Sequence, residues 1–198
     1  MSTAQKTTGN PPVFLFLGPP RHGKTTARKI FAELTSLPGA SCSDVIYPLL
    51  AKHLGITEAE LRAKDKNLIR ESLVTFGDFL CNQRQDLGEL HRSGETDDEV
   101  RARYFRCPST LIRTLYLMGF RAIDGVRRRD ELAEAKQIFA WMNVPVVTFW
   151  VERTGADTLR DNTEVTSGDA DLVLANDGDP SELKGKLVSW INSLPKNQ

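Results

Sequence analysis

The nine residues GPPRHGKTT (18–26), with VFLFL (13–17) before them and TARKIFAEL (26–34) running on from them, decide how the chain is read. Gly18, Gly23, Lys24 and Thr25 satisfy the spacing G-x-x-x-x-G-K-[ST] of a phosphate-binding P-loop. At average composition that four-position pattern arises about once in 30,000 positions, so coincidence is a poor explanation even before the flanks are considered. The flanks agree with it. VFLFL is an unbroken apolar run of the kind found in a strand buried on both faces. Ala27, Ile30, Phe31 and Leu34 recur at helical spacing. Strand, glycine-bounded loop and helix is the context that the motif requires.

The residue types explain the chemistry. Backbone N–H groups of Gly18, Pro19, Pro20, Arg21, His22, Gly23, Lys24, Thr25 and Thr26, the prolines excepted, form with the helix N-terminus a concave anion site. Lys24 reaches the β- and γ-phosphates of ATP, and the Thr25 hydroxyl is placed to ligate Mg²⁺. The expected ligand is a nucleoside triphosphate. His22 is read as a backbone position of the loop rather than a proton-transfer group.

Composition narrows the class. The chain has 198 residues, enough for one domain with a full core, and the reading is a loose leader over 1–12 followed by one domain over 13–198. Lysines and arginines number 26 against 26 acidic residues, so there is no global positive field of the kind that marks a non-specific DNA binder. No apolar run approaches the roughly 18–20 residues of a membrane span, and there is no apolar signal core, so a cytoplasmic protein without membrane partners is expected. Cys42, Cys81 and Cys107 are odd in number and widely spaced, which suits reduced thiols.

Along the chain, residues 41–43 are a possible short strand, and VIYPLLAKHLG (45–55) is a helical stretch with Pro48 in its first turn. Thr57 and Glu60 form a capping-box pattern before a short helix. A longer helix is read over 66–90, and Asp97, Asp98 and Glu99 as a solvated acidic helix start. Further helices are read over 108–118, 130–142 and 180–194, with strands over 120–124, 144–151 and 171–175. Strands separated by helices indicate a three-layer α/β fold with a central parallel sheet. Ligands then bind at the carboxyl ends of the strands, where the P-loop, Asp44, Asp124 and the segment after Val151 converge.

The stretch IDGVRRR (123–129) is the second sharp feature. A carboxylate at a strand end, Asp124, holds Mg²⁺ or orients an acceptor hydroxyl, and Arg127 and Arg128 supply bidentate donors for phosphate. Asp44 has two readings, the same catalytic work or a helix cap. Arg70 and Lys66 either contact substrate phosphate or pair along their own helix.

These residues carry a resemblance. IDGVRR resembles the D-G-x-x-R and D-V-R turns of nucleoside monophosphate kinases. The closer similarity is to the deoxynucleoside monophosphate kinase-like P-loop kinases of bacteriophages. Lys66, Arg70 and Gly77 match that group's K-x-x-x-R-x-x-L-x-x-x-G helix. Asn162, Thr163, Glu164, Ala170, Asp171, Asn176 and Gly178 match its late segment. The chain departs where Arg128 stands in place of an aromatic and Asn162 in place of a histidine. The lid stretch, 152–168, offers only Arg153 and Arg160. The resemblance implies a nucleoside monophosphate kinase-like fold using ATP and Mg²⁺. It also implies a nucleotide-type acceptor, bound by Arg127, Arg70 and Arg160, with Lys24, Asp124, Asp44 and Arg128 as catalytic candidates. Within the group, 5-hydroxymethyluracil in DNA is the first-choice acceptor and a free deoxynucleoside monophosphate the second. A P-loop ATPase without a phosphorylated product is the reading from a different class.

Overall fold

In the computed structural model, residues 10–81, 108–156 and 163–193 are described. The chain runs β1 (Val13–Leu17), α1 (Lys24–Thr35), β2 (Gly39–Ser41), α2 (Cys42–Leu54), α3 (Glu58–Ala63) and α4 (Lys66–Cys81). It continues through α5 (Thr110–Leu117), β3 (Ala122–Asp124), α6 (Arg129–Trp141), β4 (Val146–Glu152), β5 (Leu172–Ala175) and α7 (Pro180–Ser193). The five strands form one sheet in the order β2-β3-β1-β4-β5, and every pairing is parallel. This is the three-layer α/β fold expected of a P-loop chain.

The alternation within VFLFL explains the two layers. Successive strand residues point to opposite faces. Phe14 and Phe16 enter one core with Phe31 of α1, Phe149 of β4 and Leu183 and Leu187 of α7. Val13, Leu15 and Leu17 enter the other, with residues of α2, α4, α5 and α6. The first core is aromatic. Phe16 stacks on Phe149 at 4.9 Å between centroids, and Trp190 meets Phe149 edge-on at 4.7 Å.

α1 and α6 leave adjacent strands, β1 and β3, on opposite faces of the sheet, since Phe31 and Phe139 belong to different cores. That reversal opens a crevice beyond the strand ends, the place where such sheets bind ligands. Register brings Phe16 and Ser41 level with Asp124, so the ends of β1, β2 and β3 meet there.

Several boundaries differ from the sequence reading. The short strand ends at Ser41 instead of beginning there, because Ser41 and Asp44 cap α2. With α2 starting at Cys42, Pro48 lies inside the helix beyond its first turn, and its ring removes one i→i−4 donor. The Thr57–Glu60 capping box is present. The helix read over 66–90 is described as far as Cys81. Its remainder, and Asp97, Asp98 and Glu99, lie outside the described residues.

Phe149 is fully buried between two elements of the aromatic core. Phe149→Ala is expected to lower unfolding free energy by about 3–5 kcal/mol in urea titration. A loss below about 1 kcal/mol would mean that the sheet does not rest on this cluster.

Candidate active site

The loop between β1 and α1 has a shape that only glycine permits at two points. A Cβ on Gly18 would stand 2.2 Å from the Val151 carbonyl oxygen, and one on Gly23 would stand 2.1 Å from the Asn176 side-chain nitrogen. Both residues also have positive φ, 134° and 95°. Gly23 precedes α1 with no side-chain cap, so the first amides of the helix are not engaged by one and suit an anion. That geometry suits a phosphate group.

Neighbouring strand ends brace it. The Asn176 amide donates from Nδ2 to the His22 carbonyl at 2.9 Å, while its backbone N–H donates to the Glu152 carbonyl at 2.7 Å. The Arg153 N–H donates to His22 Nδ1 at 3.0 Å. That bond leaves the ring proton on Nε2. Lys24 folds back on the loop, its Nζ donating to the Pro19 carbonyl at 2.6 Å.

Across the crevice stand residues from four other segments. A cleft of about 490 Å³ is lined by Gly18, Gly23, Lys24, Thr25 and Thr26 on the loop side. Ser41, Ser43, Arg70, Asp124, Gly125, Arg127 and Thr163 line it from the far side. Asp124 is only 2% exposed, and its Oδ2 accepts from Arg28 Nε at 2.9 Å. The Ser43 hydroxyl donates to the Ser41 hydroxyl at 2.9 Å.

The turn after β3 is held by its own helix. Glu131 Oε2 accepts from the N–H groups of Arg127 (2.9 Å) and Arg128 (3.2 Å). Burial pushes the Glu131 carboxyl up from the ordinary range; those two N–H bonds and the two guanidinium charges pull it back. The Arg127 carbonyl in turn accepts from the N–H groups of Glu164 and Val165, which draws Thr163 to the cleft.

The structure brings Lys24, Thr25, Asp124, Arg127 and Arg70 to one cleft, and it places Asp44 and Arg128 elsewhere. Asp44 Oδ2 accepts from the Ser41 N–H at 2.7 Å, and its Oδ1 pairs with Arg62 at 3.2 Å. Of the two readings of Asp44, its contacts are those of the helix cap. Arg128 extends to Asp78 of α4 at 2.7 Å, joining two helices outside the cleft lining. Arg160 and Asn162 lie outside the described residues. Asp171 accepts from both the N–H and the hydroxyl of Thr148, a bond that fastens β5 to β4. The sequence reading had no place for Arg28, Ser41 or Ser43 in the site. Arg28 carried a faint signal, as a charged residue between Ala27 and Phe31 on the apolar side of α1.

Mg²⁺ fits the residues present. It keeps several waters and takes one or two protein oxygens beside phosphates, so the Thr25 hydroxyl and a carboxylate at Asp124 suffice.

No protein-family model and no curated protein matches the chain. Among solved structures, it is similar to a candidate kinase from Chloroflexus aurantiacus, at 15% identity over 94% of this chain and 98% of that one, with a TM-score of 0.48. A sugar kinase from Janibacter sp. shares 14% identity over 94% and 96% of the two chains, with a TM-score of 0.43. An APS kinase from Mycobacterium tuberculosis shares 12% over 93% and 98%, with a TM-score of 0.41. At such identities these chains say nothing of what this cleft binds.

Asp44→Ala removes the cap of α2 and is expected to cost about 1 kcal/mol in urea unfolding; no loss would mean the cap is idle. Burial, then the Lys24 ammonium, push the His22 pKa down from its ordinary 6.5, against Glu152. The folded state therefore prefers the neutral ring. This stabilisation is complete above about pH 6.5 and is lost as pH falls through the lower folded value. Stability should fall less steeply below that pH in His22→Gln than in the unsubstituted protein, and equal slopes would contradict this.

Proposed function

We propose that the protein is an ATP-dependent phosphotransferase of the nucleotide or nucleic-acid kinase type. The carrying observation is that the Lys24–Thr25 end of a phosphate loop shares one cleft with Asp124, Arg70 and Arg127. A nucleotide-binding site alone needs nothing on the far wall. A transfer site needs an acceptor held in line with the γ-phosphorus, and a carboxylate with two guanidinium groups suits that task.

In this reading the loop amides hold the β-phosphate, and Lys24 exchanges the Pro19 carbonyl for phosphate oxygen. The Thr25 hydroxyl, with Asp124, would hold Mg²⁺, which when bound would supply charge neutralisation at the phosphates. An acceptor hydroxyl oxygen bonds to the γ-phosphorus as the bond to the β–γ bridging oxygen breaks, and ADP leaves. Asp124 has one oxygen free of Arg28, and the alternative to metal binding is that this oxygen orients the acceptor hydroxyl and takes its proton. Arg127 or Arg70 binds the acceptor's phosphate or the equatorial oxygens of the transferred group. Arg153 and Arg160 are the remaining arginine candidates for that charge.

The first-choice acceptor is 5-hydroxymethyluracil in phage DNA during thymine hypermodification, a base hydroxyl that must leave the stack to be reached. Of the arginines at 121 and 127–129, Arg127 lines the cleft and would serve the DNA backbone, whereas Arg121, at the other end of β3, bonds the Tyr116 and Phe120 carbonyls. A free deoxynucleoside monophosphate is the second choice, favoured by Arg70 and Arg127 lining the same cleft as the loop, where a 5′-phosphate fits. Both place the protein in the cytoplasm, that of the host if it is phage-encoded.

Incubation with γ-labelled ATP and, separately, the four deoxynucleoside monophosphates, unmodified DNA and hydroxymethyluracil-containing DNA tests the proposal. Label on modified DNA alone supports the first choice, and label on a mononucleotide supports the second. Label only in free phosphate points to an ATPase and ends the kinase reading. Lys24→Ala is expected to lower transfer by at least about 100-fold; retained activity would contradict the role given to the loop.

A further inference from the structure

Arg28 is buried, 7% exposed, on a helix whose inward face is otherwise apolar. It lies one helical turn beyond Lys24, and its Nε bonds Asp124 Oδ2 at 2.9 Å across 96 residues of sequence. Room for the guanidinium is made by a third element. A Cβ on Gly39, at the start of β2, would stand 2.8 Å from Arg28 Nη1. Three segments therefore agree on one charged contact where an apolar side chain would fill the space.

Stability is a weak reason for such a pair. Desolvating both ions offsets most of their attraction, and apolar replacements of similar volume are often as stable. A charge-assisted bond in a water-poor setting does something else well: it selects a single orientation. Asp124 lines the cleft and Arg28 does not. The guanidinium thus engages one carboxylate oxygen from behind the cleft wall. It also ties that carboxylate to the same helix whose first residues are Lys24 and Thr25.

We propose that Arg28 is a positioning residue for phosphoryl transfer, holding Asp124 at a set distance and angle from the Lys24–Thr25 end of the loop without touching either substrate. This rests on the phosphotransferase reading. A misplacement of about 1 Å in such a site costs roughly 100-fold in rate, so the effect belongs in kcat and not in nucleotide affinity.

The test compares the full-length protein with Arg28→Met, Arg28→Lys and Gly39→Ala, using the acceptor that the labelled-ATP assay identifies. Circular dichroism checks folding, and titration with Mg²⁺-ADP reports the loop. Arg28→Met is expected to lower kcat by about 100-fold, with KM for ATP and ADP affinity within about twofold. Arg28→Lys should recover part of the loss. Gly39→Ala, which crowds the guanidinium without altering either charge, should lower kcat by about tenfold at unchanged ADP affinity. If Arg28→Met does not fold, the other two variants decide the matter. Full kcat in Arg28→Lys and Gly39→Ala overturns the proposal, as does an ADP affinity that falls in step with kcat. An unsubstituted protein that labels no acceptor overturns the phosphotransferase reading itself, a result separable from active protein with indifferent variants.

Discussion

The bond from the Asn176 amide to the His22 carbonyl is the contact on which the site depends. It spans 154 residues and joins the end of β5 to the loop that follows β1. It forms only because Gly23 has no Cβ, which would stand 2.1 Å from the donor nitrogen. The same loop meets β4 at Gly18, where a Cβ would clash with the Val151 carbonyl. A chain with side chains at these two positions would hold the loop away from the sheet and turn its amides elsewhere. With glycines there, the sheet edge acts as a template for the loop, so little ordering is left for the ligand to impose.

Opposite the loop, positioning runs through charge instead of backbone. Asp124 is set by Arg28, and the turn that carries Arg127 is set by Glu131, a carboxylate kept among guanidinium groups and N–H donors at the start of α6. Both anchors, Arg28 and Glu131, are buried. The aromatic core beneath, where Phe14, Phe16, Phe31, Phe149 and Trp190 interlock, supplies the rigid floor for both sides. A site built on such a floor keeps its geometry better than one built on loops alone.

Most of the fold was legible because its signals are local. VFLFL shows a buried strand in five residues, and the glycine spacing after it points to the turn that leads into α1. The later strands and helices follow from periodicity, with boundaries shifted by a residue or two where caps intervene. Asp124 was legible as a carboxylate at a strand end. Asp44 was not separable from a catalytic residue, since a cap and an acid look alike until Ser41 is seen to donate to it. Arg128 misleads for a related reason. Three adjacent arginines point in different directions, and only the fold shows Arg127 at the cleft and Arg128 on Asp78. Arg28 was hidden because its partner lies 96 residues away, beyond the reach of any periodic pattern.

The central claim is that one crevice holds a triphosphate on the loop side and an acceptor against Asp124. A crystal structure of the protein with Mg²⁺ and a non-hydrolysable ATP analogue tests it most directly. The account predicts the β-phosphate within the loop of residues 18–25, Lys24 moved from Pro19 to phosphate oxygen, and the γ-phosphate pointing at Asp124 while Arg28 keeps its bond. A nucleotide bound outside that loop, or a γ-phosphate directed away from Asp124, would contradict it.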